Sequence, residues 1–128
     1  MITNFYGPQK QEDKIKLLTS LKELRARHPN VPWIVARDFN MIRSLKEKKG
    51  GIRHLGRDCI TFQNFIMNMG LVDTKTINGT FTLNNKRGGA SQVASKIDRF
   101  IISKDVFLSG PTMTGSVLPF GGSDHWHV

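Results

Sequence analysis

Acidic side chains are scarce in this chain of 128 residues, ten against nineteen lysines and arginines, so where they stand is informative. Asp38 and Asn40 come directly after an apolar run, Val31 to Ala36. The carboxyl end of a buried strand is where α/β folds place their ligands. Asp98 is embedded among Ile97, Phe100, Ile101 and Ile102, where a carboxylate is costly unless it is paired or binds something. Asp124 and His125 adjoin just after Gly121-Gly122. Carboxylates that converge on one point make a hard oxygen site suited to Mg²⁺ or Mn²⁺. A histidine beside them can donate to a phosphate oxygen or, held by a carboxylate, move a proton. Each feature also has a plainer structural reading. Asp-x-Asn after a strand is often an Asx-turn, and Asp98 can serve as a partner of Arg99 or of a loop backbone. His125-x-His127 does not amount to a closed zinc site, because the chain has only four histidines and one cysteine.

The net charge of +9 favours polyanionic partners, nucleic acid or an acidic membrane surface. The cations gather between residues 43 and 57 as Arg43, Lys46, Lys48, Lys49, Arg53 and Arg57, against the single Glu47 and around Gly50-Gly51. Such a basic loop can grip phosphates without reading bases, and no aromatic residue interleaves it to stack on them. A merely solvated surface is the alternative. A hydrophobic content of 38% excludes a chain too polar to bury a core. The longest strongly apolar stretch, Trp33 to Ala36, is far short of the roughly 20 residues that cross a bilayer. Met1 to Phe5 show neither the basic nor the apolar part of a secretory signal, and the lone Cys59 has no intramolecular disulfide partner. These features point to an intracellular setting, the nucleus among the compartments open to it.

The elements that must position these residues can be read from pattern. Ile2 to Tyr6 reads as a strand closed by Gly7-Pro8. Helical spacing of Ile15, Leu18, Leu21 and Leu24 predicts a helix from Gln9 to about Arg27, stopped by Pro29. Val31 to Ala36 reads as a strand covered on both faces. A second helix is expected with Asp58 as N-cap, Cys59, Phe62, Phe65, Ile66 and Met69 inward, and Gly70 at its end. Strands are expected at Thr80 to Leu83, at Ser95 to Ser103 and near Gly115 to Leu118, with a polar turn from Asn84 to Gln92. In the Ser95 to Ser103 strand, Ile97 and Ile101 share one face, and Phe100 and Ile102 the other. The pattern β, α, β, α, then β-rich, is that of a layered α/β domain.

Taken in order, four motifs carry a resemblance. They are Asn4-Phe5-Tyr6-Gly7-Pro8, Asp38-Phe39-Asn40, Ser95-Lys96-Ile97-Asp98-Arg99-Phe100-Ile101-Ile102-Ser103 and Ser123-Asp124-His125. Together they resemble the endonuclease/exonuclease/phosphatase superfamily, and within it the apurinic-endonuclease-like domain of plant non-LTR retrotransposons. Glu47-Lys48-Lys49-Gly50-Gly51 and Gly79-Thr80-Phe81-Thr82 are similar to that group as well. The resemblance implies a DNase I-like layered α/β sandwich and Mg²⁺-assisted (or Mn²⁺-assisted) phosphodiester hydrolysis on DNA. It implies that Tyr6 contacts phosphate, Asp38 handles the attacking water and leaving oxygen, and Asn40 orients phosphate. It further implies that Asp98 holds His125 and that Asp124 is a metal-side carboxylate.

Three positions depart from the pattern. Arg37 stands where the family usually has glycine, Gln9 replaces a frequent asparagine, and His127 stands where the family commonly has proline. In the family the tyrosine motif opens the second half of the domain, and the first half supplies an asparagine and a metal-binding glutamate. The implied object is therefore a single, N-terminally truncated domain over residues 1–128, weak or inactive alone. Its implied partners are DNA, the missing N-terminal half or a reverse transcriptase domain, and not a membrane. Two other functions stay open. One is a non-catalytic, basic nucleic-acid-binding remnant, and the other is a phosphatase-type protein acting on a phosphorylated small molecule. On the endonuclease reading, Asp38, Asn40, Asp98, Asp124 and His125 should line one cleft at one edge of the sheet.

Overall fold

The apolar run after Val31 becomes the inside of a four-stranded sheet in a computed structural model, which describes residues 1–51, 55–76, 80–84, 93–110 and 116. Strand β1 (Ile2–Tyr6) leads through helix α1 (Gln11–Arg27) to the parallel neighbour β2 (Ile34–Asp38). Strand β2 is shorter at its start than the apolar run predicts. Pro32 has no N–H to give a ladder, and the Trp33 N–H donates to the Ser103 hydroxyl at 2.8 Å. A 3₁₀ turn (Leu45–Glu47) and the two-residue strand β3 (Lys48–Lys49) occupy what the sequence reads as a basic loop. Helix α2 (Arg57–Asn68) comes next, then β4 (Leu71–Asp73), β5 (Leu83–Asn84), β6 (Ala94–Ser95), β7 (Asp98–Ser103) and helix α3 (Lys104–Ser109). The main sheet runs β1-β2-β7-β4, with β7 antiparallel to both its neighbours. A small antiparallel sheet, β3-β6-β5, lies beside it.

Helices α1 and α2 cover one face of the main sheet. Leu18 and Leu21 from α1 and Phe62, Phe65 and Ile66 from α2 pack with Val35, Leu71 and Ile101 into one buried cluster. Phe39 joins it, 4.9 Å from both Phe5 and Phe62 between ring centres. Trp33, fully buried, is tied to β1 by its indole N–H, which donates to Thr3 at 2.8 Å. Gly70 ends α2 with φ of 60°, the left-handed turn that its sequence position predicts. No helix among the described residues is long and apolar enough to cross a membrane.

Four expectations need correction. Asp58 is not the N-cap of α2. Gly56 is, while Asp58 lies in the first turn and pairs with Lys14 at 3.0 Å. The strand read at Thr80 to Leu83 is instead Leu83–Asn84, because the Thr82 hydroxyl accepts from two backbone N–H groups of another segment. The single strand read from Ser95 to Ser103 is two strands in two sheets, broken at Lys96-Ile97. There the Lys96 N–H donates to the Glu47 carbonyl and the Ile97 carbonyl accepts from Phe39, both at 2.9 Å. Ile97 thus lies outside β7, and Asp98 opens that strand instead of sitting within it. Strand β4 and helix α3 have no counterpart in the sequence reading. The strand expected near Gly115 to Leu118 and most of the turn from Asn84 to Gln92 lie outside the described residues.

The most deeply buried charged residue is Arg99, only 1% exposed as it projects among the core residues from β7. Its guanidinium donates to Glu47 through both terminal nitrogens, to Asp73 at 2.6 Å, and to the carbonyls of Met41 (3.0 Å) and Lys96 (2.9 Å). It also lies 5.3 Å from the Phe62 ring centre, a cation–π arrangement. Burial alone raises the Glu47 carboxyl. Arg99, the Arg43 backbone N–H and Lys96 outweigh that and hold it below the ordinary value of 4.5. A carboxyl lowered by folding contributes stability that is fully present above its unfolded pKa and is lost as pH falls through the folded one. Urea denaturation tracked from pH 7 to pH 3 should therefore show stability falling steeply below about pH 4.5. Glu47→Gln should be less stable at pH 7 and should flatten that acid limb. An unchanged limb would separate Glu47 from acid stability.

Candidate functional site

The register of the main sheet sets Tyr6, Asp38 and Asp98 in one transverse row. Tyr6 is the partner of Asp38 across β1 and β2, and Asp38 is the partner of Asp98 across β2 and β7. Residues directly opposite share a face, with Cβ atoms roughly 4.5–5.5 Å apart in an antiparallel pair. The row lies at the carboxyl ends of β1 and β2, on the face opposite to Arg99. Asp38 is buried, Asp98 half-buried and Tyr6 exposed. Asp38, in the middle of the row, is thus its deepest member, and Tyr6 is its solvent-facing end.

Asn40, two positions further along the chain, orients Asp38. Asn40 adopts φ of 50°, and its backbone N–H donates to Asp38 Oδ1 at 2.7 Å. This is the Asx-turn that the spacing allowed, formed around one of the candidate site carboxylates. The Asn40 amide donates to the Gly7 carbonyl at 2.6 Å, and the Gly7 N–H donates to the Asp38 carbonyl at 2.6 Å. A Cβ on Gly7 would meet the Asp38 and Phe39 backbone at 2.6 Å, so only glycine lets β1 leave the sheet here. Tyr6 and Asp38 are thereby held together by main-chain contacts immediately beyond the row.

Asp98 is held by a residue without a functional role in the sequence reading. Thr82 is fully buried, and its hydroxyl oxygen accepts from the N–H groups of Ile97 and Asp98, each at 3.0 Å. Its own N–H donates to the Ser95 carbonyl at 2.9 Å. The signal was a polar residue flanked by Phe81 and Leu83, which periodicity treats as an outward-facing strand position. Arg99 is not the partner of Asp98. It points to the other face and is occupied by Glu47 and Asp73.

The basic residues divide by what surrounds them. Arg43 sits 3.5 Å from Asp73, and its backbone N–H donates to Glu47 at 2.7 Å, so it is part of the buried cluster. Lys46, Lys49 and Arg57 are exposed. Lys48 lines a shallow cleft of about 270 Å³ with Lys14, Asn40, Asp58, Ser95 and Ile97. Cys59 borders the same cleft, but burial, then the charges of Asp58 and Glu47, push its thiol up, away from the reactive thiolate. Arg53, Asp124 and His125 lie outside the described residues.

The donor set suits a hard cation in kind. Asp38 and Asp98 are opposite one another in register on one face of the sheet, and Mg²⁺ commonly uses one or two carboxylates with waters and substrate phosphates completing its shell. Among the described residues no cluster of three His, Cys, Asp or Glu side chains could hold a metal ion.

No family model matches the chain, and no curated protein matches it. Among solved structures, it is similar to the endonuclease domain of TRAS1, a telomere-specific non-LTR retrotransposon. Identity is 17% over 96% of this chain and 52% of that one, with a TM-score of 0.60. It is also similar to a mannosyl-6-phosphatase of Bacteroides thetaiotaomicron VPI-5482. There identity is 18% over 98% of this chain and 48% of that one, with a TM-score of 0.52. The chain thus spans about half the length of these structures, and it shares their α/β fold.

The Thr82 contacts generate a direct test. Thr82→Val keeps the volume but removes the acceptor of two buried N–H groups, which should cost about 2–4 kcal/mol in urea denaturation. Thr82→Ser should restore most of it. Equal stability of the valine variant would show that the hydroxyl does not hold Asp98 in place.

Proposed function

We propose that this chain carries part of a divalent-metal-assisted DNA phosphodiesterase site, with Tyr6, Asp38 and Asp98 at its centre and the turn around Lys46, Lys48 and Lys49 as its grip on the phosphate backbone. The observation that supports this most is the register that aligns Tyr6, Asp38 and Asp98, joined through Ser95–Ile97 to the strand bearing Lys48 and Lys49. In this reading Asp38, fixed by the Asn40 N–H, receives the proton of the attacking water or returns it to the leaving oxygen. Asn40 orients the phosphate from beside Asp38. The Tyr6 phenol, on the exposed side of the row, donates to a phosphate oxygen. Asp98 orients His125, and Asp124 stands on the metal side. A bound Mg²⁺ or Mn²⁺ supplies charge neutralisation at the phosphate. Two carboxylates would hold such an ion weakly, and Asp124 would be a further ligand. A DNA partner, rather than a small phosphate ester, is favoured by the +9 charge and by cations that extend well beyond the carboxylate row.

Fluorescence anisotropy on a 20-base-pair duplex across a KCl series checks the partner. Four cations at the surface (Lys46, Lys48, Lys49 and Arg57) should give a log–log slope of about −3 to −4, at roughly 0.9 per phosphate contact. A sugar 6-phosphate at millimolar concentration should not compete. Salt-independent binding, or displacement by the sugar phosphate, would overturn the DNA reading in favour of a small-molecule phosphatase. Plasmid nicking in Mg²⁺ should stay near background, with Asp38→Asn removing what remains. Vigorous nicking that survives Asp38→Asn would remove Asp38 from the site.

A further inference from the structure

The Arg99 cluster takes no step in the chemistry above, and it is an unusual thing to build under a surface turn. Three cations (Arg99, Arg43 and Lys96) meet two carboxylates, Glu47 and Asp73, with Arg99 fully buried. Replacing a buried ion cluster by apolar residues of similar volume is often neutral or stabilising, so fold stability alone does not call for one. What an ion cluster provides and an apolar patch does not is a single orientation, because the guanidinium fork accepts carboxylates only in its own plane.

That orientation is applied to one short element. Glu47 receives Arg99 at both carboxylate oxygens and the Arg43 N–H at one, while its carbonyl accepts from Lys96. Lys46 and Lys48 flank it in sequence, and β3 pairs Lys48 and Lys49 with Ser95 and Ala94. Lys46 and Lys49 have no ion-pair partner among the described residues, and Lys48 shares its cleft with Asn40. The same strand that carries Arg99 on one face carries Asp98 on the other.

We infer that Arg99 is a positioning residue for nucleic-acid binding: through Glu47 it fixes the turn Leu45–Lys49 so that its lysines meet a phosphate backbone leading to the Asp38–Asp98 row. This rests on the DNA reading proposed above. It assigns Glu47, an acid in the middle of a basic surface, a role in holding an anion.

The sign of one effect separates positioning from bulk charge. Glu47→Gln raises the net charge by one beside the lysines, so a simple charged patch would bind duplex DNA equally or more tightly. Positioning predicts the reverse, an affinity about tenfold weaker with a salt slope shallower by about two contacts' worth. Arg99→Lys leaves net charge unchanged but loses the fork, and it should weaken binding in the same direction. It is measured alongside, so the decision does not hang on one variant folding. Circular dichroism melts fix a temperature at which each variant compared is folded. Lys46→Ala/Lys49→Ala serves as the reporter of the DNA reading itself. If that pair leaves affinity and slope unchanged, the DNA role of the turn fails. If it weakens binding while Glu47→Gln and Arg99→Lys bind like the unaltered chain or better, the turn binds DNA and the positioning role is overturned.

Discussion

A guanidinium at the centre of the packing is the constraint that the other elements answer to. Arg99 must find acceptors wherever β7 places it, because leaving one partner of a buried ion pair alone costs about 3–5 kcal/mol. Its acceptors come from three separate stretches of chain: the loop and turn containing Met41 and Glu47, the end of β4 at Asp73, and the break before β7 at Lys96. The β4–β7 and β3–β6 ladders bring the same stretches side by side, and the guanidinium ties all three at one point. The interaction therefore links the main sheet to the connection after β2 and to the turn beside the small basic sheet, with the guanidinium over Phe62.

The geometry at the other face depends on that arrangement. With β7 held against β2 in fixed register, Asp98 falls opposite Asp38, and the parallel pairing of β1 adds Tyr6. Local devices then set each side chain: the Asx-turn at Asn40, the close approach of Gly7, and the Thr82 hydroxyl under Asp98. Likeness to a retrotransposon endonuclease domain and to a sugar phosphatase, at 17% and 18% identity, establishes the fold, and function has to be argued from the site.

Much of this was legible in the sequence where one physical signal dominated. Helix α1 is written in its leucine spacing, Gly70 in the demand for a left-handed turn, and the inside strands in runs of β-branched residues. The alignment of Tyr6, Asp38 and Asp98 was accessible only as a resemblance, because register across three strands leaves no mark in local pattern. Elements held by non-local contacts were misread or missed. Three-residue β4 exists because β7 offers it a ladder, and the break at Lys96-Ile97 exists because Thr82 and Glu47 take the hydrogen bonds that a continuous strand would use. Arg99 and Glu47 were counted as part of a basic balance, although each is defined by the other. A buried arginine is improbable from composition and becomes favourable only once its partners are assembled.

Native-state amide hydrogen exchange tests the central role of this cluster most directly. The Arg43 N–H donates to the Glu47 carboxylate and the Lys96 N–H to the Glu47 carbonyl, so both report on the junction that Arg99 holds. If the cluster organises the fold, these two amides exchange only through global unfolding, with the same free energy as the Ile101 amide in the core. Exchange of Arg43 and Lys96 at the rate of an exposed loop, while Ile101 stays protected, would show that the basic turn moves independently of the sheet and would contradict the account.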